Sequence, residues 1–225
     1  MSRLGQGHVA LVTGGTSGIG RALVEALHAR GTVVWFCARN AKAVAALQSR
    51  LPATKGHVCD VTVSSALTSM ANEIENVEGR LDVLMANVGA MHQLDFTKAP
   101  LAENAIRSEI DLNLTSAVLT VNALLPALTK SSAPHIVVVG SGYGWSPAGS
   151  APLYSAAKAG LRAFVKSLRA QLHSSGFHVM DVVSPRGRYG RCRPAFWAPA
   201  CTIGNRASDP SGYRPDASRR LRGPD

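Results

Sequence analysis

His8-Val9-Ala10-Leu11-Val12-Thr13-Gly14-Gly15-Thr16-Ser17-Gly18-Ile19-Gly20 passes from an apolar run through a glycine-rich turn into helical spacing. The run is short enough for one buried strand, and Ile19, Ala22, Leu23, Ala26 and Leu27 then recur on one face of a helix over 18–30. Glycines let the backbone turn sharply and come close to a pyrophosphate, while the helix N-terminus offers unpaired N–H groups and a favourable dipole. A glycine string alone is common. Between a strand and a helix it points to a nucleotide, with Gly14, Thr16, Ser17, Gly18, Ile19 and Gly20 as the cradle.

Outward from this unit the same alternation repeats. Apolar runs predict strands over 8–13, 32–38, 56–60, 81–86, 135–140 and 178–183. Between them, helical periods cover 18–30, 41–49, 64–77, 101–129 and 152–173, with Ser64 as the cap of the third and Pro126 near the end of the fourth. Strand–helix alternation with short joins predicts an α/β fold: a doubly wound parallel sheet, Rossmann-type, with helices on both faces. Such sheets bind ligands beyond the carboxyl ends of their strands, where the winding reverses.

With 225 residues, 46% hydrophobic and 17% charged, the chain has the composition of one globular domain. No apolar run approaches the roughly 20 residues of a membrane span. The N-terminal residues enter the first strand without a signal-peptide core, so a cytoplasmic location is expected. Cys37, Cys59, Cys192 and Cys201 match no zinc or disulfide spacing, and the seven histidines are scattered, so no metal is expected. The net charge of +10 is uneven: residues 186–225 hold nine Arg, no Lys and three Asp, leaving 15 basic and 11 acidic side chains elsewhere. Nucleic acid is therefore not an expected partner, because the excess lies in a stretch with interleaved Pro and Gly and no aromatic platform.

The chemistry lies later in the chain. Tyr154 and Lys158 are four apart in a helical stretch, so they share a face. An ammonium beside a phenol favours the phenolate and makes the pair a proton donor or acceptor near neutral pH. Taken alone, Tyr-x-x-x-Lys is an ordinary surface pair. Ser141 alters that reading, because it ends the run Ile136-Val137-Val138-Val139-Gly140 and its hydroxyl emerges at a strand's carboxyl end. The second strand ends in Ala38-Arg39-Asn40 with no acidic residue to meet ribose hydroxyls. Arg39, with Arg21 adding charge on the same side, suits a 2′-phosphate; the alternative is a solvated arginine. NADP is expected in preference to NAD.

With these residues assembled, the chain resembles the short-chain dehydrogenase/reductase family over about residues 7–185. Thr13-Gly14-x-x-x-Gly18-Ile19-Gly20 is similar to the family's cofactor motif, and Asp60-Val61 to its adenine-contacting pair. Ala86-Asn87-Val88-Gly89 is similar to its Asn-Asn-Ala-Gly motif with two replacements. Asn113, Ser141, Tyr154 and Lys158 match its catalytic positions. The resemblance implies that Tyr154 exchanges a proton with a carbonyl or alcohol oxygen, which Ser141 orients. It further implies that Lys158 lowers the Tyr154 pKa and binds the nicotinamide ribose, and that Asn113 positions a water. A small carbonyl or alcohol substrate and a homodimer or homotetramer are also implied. From the residues alone, Asn113 could be a backbone-satisfied buried amide, Asp60 a turn cap and Asn87 a strand-end bracket.

The pattern departs from the family at Pro185. The family continues Pro-Gly, then a Thr, a substrate-covering segment, a helix and a last strand; here Pro185-Arg186-Gly187 follows, with no Thr until Thr202. Domain organisation therefore reads as an oxidoreductase domain over 1–185 and an irregular or disordered Arg/Pro/Gly-rich tail over 186–225. A shifted reading frame near codon 185 explains the tail's bias better than a natural short variant. Two functions follow: an NADP(H)-dependent carbonyl/alcohol oxidoreductase, or a catalytically impaired nucleotide-binding relative without a complete substrate cover.

Overall fold

The computed structural model describes residues 5–98 and 100–184, so the readings made for the stretch from Pro185 onward lie outside the described residues. Among the described residues, six parallel strands form one sheet: β1 (Val9–Thr13), β2 (Val33–Ala38), β3 (Lys55–Val58), β4 (Val83–Ala86), β5 (His135–Ser141) and β6 (His178–Ser184). Their order is β3-β2-β1-β4-β5-β6. The winding therefore reverses between β1 and β4, which pair directly, Leu11 facing Leu84. The expected doubly wound sheet is what the chain forms.

Strands β1, β2, β4 and β5 are nearly continuous apolar runs because both faces are covered. Successive side chains of a strand point to opposite faces. Ala10 and Val12 of β1, Val34 and Phe36 of β2, and Val83 and Met85 of β4 pack in one core with α1 (Gly18–His28) and α2 (Ala41–Arg50). Leu11, Trp35, Leu84, Ile136 and Val138 point the other way. Their core is closed by α3 (Ser64–Glu78), α5 (Ser116–Thr129) and α6 (Pro152–Leu172). At the sheet's amino edge Asp82 ties three segments together, accepting from Val9 N–H (2.8 Å), Ser131 Oγ (2.6 Å) and Arg80 Nε (3.1 Å). Burial pushes its carboxyl up, but these bonds outweigh burial and hold it below the usual carboxylate range.

Three local expectations are corrected. The helix expected over 101–129 begins at Glu103 as α4 (Glu103–Ile110), passes through a π-helical turn at Asp111–Thr115 and continues as α5. Helix Glu103–Thr129 is long and apolar enough to cross a membrane (hydropathy 1.4), but Ala117, Val121, Leu124, Ala127 and Leu128 spend that apolar surface on the core. The strand expected over 56–60 is Lys55–Val58, because Asp60 turns the chain by accepting from Thr62 N–H (3.0 Å) and Thr62 Oγ1 (2.7 Å). That turn also displaces the helix start: Val63 occupies the cap position of α3, and Ser64 is its first helical residue.

Candidate active site

The turn after β1 is built for close approach. Gly14 (φ 67°) and Gly18 (φ 52°) lie in the left-handed region that only glycine adopts freely. Gly20 serves packing: a Cβ there would strike the Gly14 carbonyl and sit 2.6 Å from Asn87 Nδ2. Ser17 is extended and makes no side-chain cap bond at the head of α1, so its hydroxyl does not occupy the first N–H groups of that helix. Gly20→Ala should therefore cost about 1–3 kcal/mol of stability, since backbone rather than a flexible side chain must yield. Chemical denaturation checks this, and an unchanged midpoint would contradict it.

A cavity of about 790 Å³ runs from this turn to α6, within the size range of small-molecule and cofactor sites. Gly14, Thr16, Ser17, Gly18 and Ile19 line it at one wall, Arg39, Asp60 and Val61 at one end, and Asn87, Ser141, Tyr154 and Lys158 toward the other. Gly20 and Asn113 stand behind the lining, one packed under the turn and the other under Gly89. Met91, Leu112 and Tyr143 also line it and were missed by sequence reasoning. Tyr143 alone had a signal, two residues past the strand-end Ser141.

At the outer end, Asp60 serves its turn and the cavity together. The backbone bond from Thr62 is the main reason its carboxyl is lowered; burial opposes this, and the Arg39 guanidinium adds to it. Arg21 does not join Arg39. Its Nε is held by Glu25 at 2.9 Å on the same helix, and Glu25 also takes Arg50 at 3.5 Å. Asn87 brackets the two central strands, its Nδ2 donating to Thr13 O (3.0 Å) and its N–H to Thr13 Oγ1 (3.0 Å). That bracket leaves Asn87 in the cavity wall rather than in place of it.

At the inner end, Ser141 closes β5 and opens a short 3₁₀ turn at Gly142–Gly144, its Oγ accepting from Tyr143 N–H at 3.2 Å. This turn lies against α6 because Gly144 has no side chain; a Cβ would come 2.7 Å from the Lys158 carbonyl. Tyr154 and Lys158 follow on the first turns of α6, both buried. The Tyr154 ring meets Tyr143 edge-on at 6.2 Å, and Lys158 Nζ sits 5.8 Å from its centroid. Lys158 Nζ donates to Val139 O (3.1 Å). Burial pushes the Lys158 ammonium down to about 8, and the Asp181 carboxylate works against that shift.

Asn113 lies in the π-helical turn and is 1% exposed. Its Oδ1 accepts Ala90 N–H (3.1 Å), and its Nδ2 donates to Ala90 O (2.8 Å), Glu109 O (3.0 Å) and Glu109 Oε1 (3.1 Å). The side chain is thus a clamp on the segment after β4. A Cβ on Gly89 would stand 3.0 Å from Asn113 Oδ1 and 3.2 Å from Lys158 Nζ, so both groups face the same glycine. A phenol, a hydroxyl and a buried ammonium thus line one end of a cavity that the glycine-rich turn after β1 walls.

The family model described as short chain dehydrogenase matches residues 8–186. An uncharacterized oxidoreductase of Staphylococcus saprophyticus is 29% identical over 182 residues, covering 79% of this chain and 77% of that protein. The 3-oxoacyl-[acyl-carrier-protein] reductase FabG of Escherichia coli is 34% identical over 181 residues, covering 80% of this chain and 73% of the reductase. Among solved structures, a metagenomic short-chain oxidoreductase in complex with NADP superposes with a TM-score of 0.75 at 27% identity, covering 83% of this chain and 86% of the other. RhlG of Pseudomonas aeruginosa, in an NADP active-site complex, gives a TM-score of 0.75 at 28% identity, over 81% and 73% of the two chains.

Proposed function

Given that the chain belongs to the short-chain dehydrogenase family of NAD(P)-dependent oxidoreductases, we propose that it uses NADP(H) to interconvert a small carbonyl compound and its secondary alcohol. The observation that carries this reading is the convergence of Ser141, Tyr154 and Lys158 on one end of the cavity, opposite the glycine turn. The residues fit the cofactor. Gly14 and Gly18 adopt backbone that a side chain would strain, the head of α1 lacks a side-chain cap, and Arg39 stands at the cavity's outer end. When bound, the nicotinamide supplies or accepts the hydride.

The chain's own residues then handle the proton. Tyr154 donates its phenolic proton to the substrate oxygen, or takes it in the reverse direction. Ser141, whose oxygen already accepts Tyr143 N–H, has its O–H to donate to that same substrate oxygen and so orients it. Lys158 is cationic below about pH 8, and its charge stabilises the oxygen that has given up a proton. Gly14, Thr16, Ser17, Gly18, Ile19 and Gly20 shape the pyrophosphate cradle, and Asp60, Val61 and Asn87 bound the nucleoside. Asn113 holds the Ala90 wall in place. Assembly as a homodimer or homotetramer in the cytoplasm completes the proposal, and the buried free thiols Cys37 and Cys59 suit a reducing compartment.

Arg39 supports NADP over NAD, because its guanidinium pairs well with a 2′-phosphate and no carboxylate replaces it at the end of β2. Arg39→Asp should weaken NADPH about 10–100-fold relative to NADH, the worth of one charge-assisted contact. Fluorescence titration of both cofactors decides this, and an unchanged ratio would remove Arg39 from the site. Turnover is tested by following NADPH oxidation with a carbonyl panel that includes a 3-oxoacyl thioester. NADPH binding without any turnover would instead mark a catalytically impaired nucleotide-binding protein.

A further inference from the structure

Asp82, Glu109 and Lys158 are the buried carboxyl and amino side chains among the described residues. Asp82 is explained by the three segments it ties together, and Lys158 by the site. Glu109 has no such explanation. It lies one residue before the end of α4 at 2% exposure, the one buried residue of that helix. An ionised carboxylate in that position costs several kcal/mol unless it is well paired. It is paired on both oxygens: Oε2 lies 2.6 Å from His92 Nδ1, and Oε1 accepts from Asn113 Nδ2 at 3.1 Å. His92 is mostly exposed, so this chain of bonds reaches from solvent to the clamp on Ala90.

The amide of Asn113 has two N–H bonds to give. One goes to Ala90 O; the other is divided between Glu109 O and Glu109 Oε1. The carboxylate thus fixes the plane of the amide that grips Ala90 at both its N–H and its carbonyl. The adjacent residue, Gly89, is the wall shared by Asn113 Oδ1 and Lys158 Nζ. A shift of Asn113 therefore reaches Lys158 through one glycine.

We propose that Glu109, partnered by His92, is a positioning residue of the reaction: it holds Asn113 so that the Gly89–Ala90 wall keeps its place against Lys158. The proposal rests on the reading of Tyr154 and Lys158 as the proton-transfer pair. Glu109→Leu fills the same space without an acceptor and should lower kcat about 10-fold or more, with KM and the NADPH Kd nearly unchanged. Glu109→Gln keeps an acceptor for Asn113 Nδ2 and should restore most of the rate. In an Asn113→Ala background Glu109→Leu should add no further loss, because Glu109 acts through that amide.

The readout in the full 225-residue chain is steady-state kinetics joined to hydrogen exchange at the Ala90 amide, which Asn113 Oδ1 accepts. Glu109→Leu should speed that exchange, and Glu109→Gln should not; Glu109→Met replaces Glu109→Leu if the latter is not obtained folded. Unchanged Ala90 exchange, unchanged kcat, or losses that multiply with Asn113→Ala would each overturn the proposal. Absence of Tyr154-dependent turnover in the wild type would instead defeat the functional reading, while the Ala90 exchange would still decide whether Glu109 positions Asn113.

Discussion

Lys158→Met should lower turnover by about 10²–10³-fold, the usual loss when one donor to a developing negative charge is removed, while making the folded protein harder to unfold. The second effect follows from burial. Lys158 is 3% exposed, and its ammonium is held near 8 instead of 10.5. A base whose folded pKa is depressed favours the unfolded state wherever the folded group is forced to carry its proton. Below pH 8 both states are protonated, and the full penalty applies, about 3 kcal/mol for such a shift. Between pH 8 and 10.5 the folded state releases the proton and the unfolded state keeps it, so the penalty fades as pH rises. Methionine removes the charge and gives up the bond to Val139 O, leaving a net gain of roughly 1–2 kcal/mol at neutral pH. Denaturation of both proteins from neutral pH upward should show their difference narrowing above pH 8. A constant or widening difference would mean that Lys158 is not held as a buried cation.

The parts of this arrangement that follow from local pattern were legible in the sequence. Strands covered on both faces must be apolar throughout, so β1, β2, β4 and β5 stood out as runs. Ser141 at the end of such a run, and Tyr154 and Lys158 four apart on a helix, needed only periodicity to be placed. What could not be read was set by partners far along the chain. The apolar period of α4 and α5 continues through the π-helical turn, and the turn's Asn113 is bound to Ala90, 23 positions away. The Glu109–His92 contact spans 17 positions and has no periodic signature. Arg21 is a different case. Glu25, four residues on, was in view as a helical partner, and the ion pair the two form on the helix surface follows from that spacing. Ser64 lost the cap position because Asp60 and Thr62 had already turned the chain.

Tyr154→Phe isolates the proton. The ring is buried and meets Tyr143 edge-on, so phenylalanine keeps the packing and removes one oxygen. The glycine turn and Arg39 are untouched, and cofactor affinity should hold. General acid–base catalysis contributes about 10²–10⁴-fold, so turnover should fall by that much in both reaction directions. Such a loss separates the oxygen's chemistry from any role of the ring in shaping the site.

The most direct measurement is therefore NADPH oxidation by the full chain and by Tyr154→Phe on the same carbonyl panel, each preceded by a fluorescence titration with NADPH. The expected result is equal NADPH binding by both proteins, with turnover by the variant slower than the wild type by about 10²-fold or more. Equal turnover by the two proteins, or no NADPH binding by either, would contradict it.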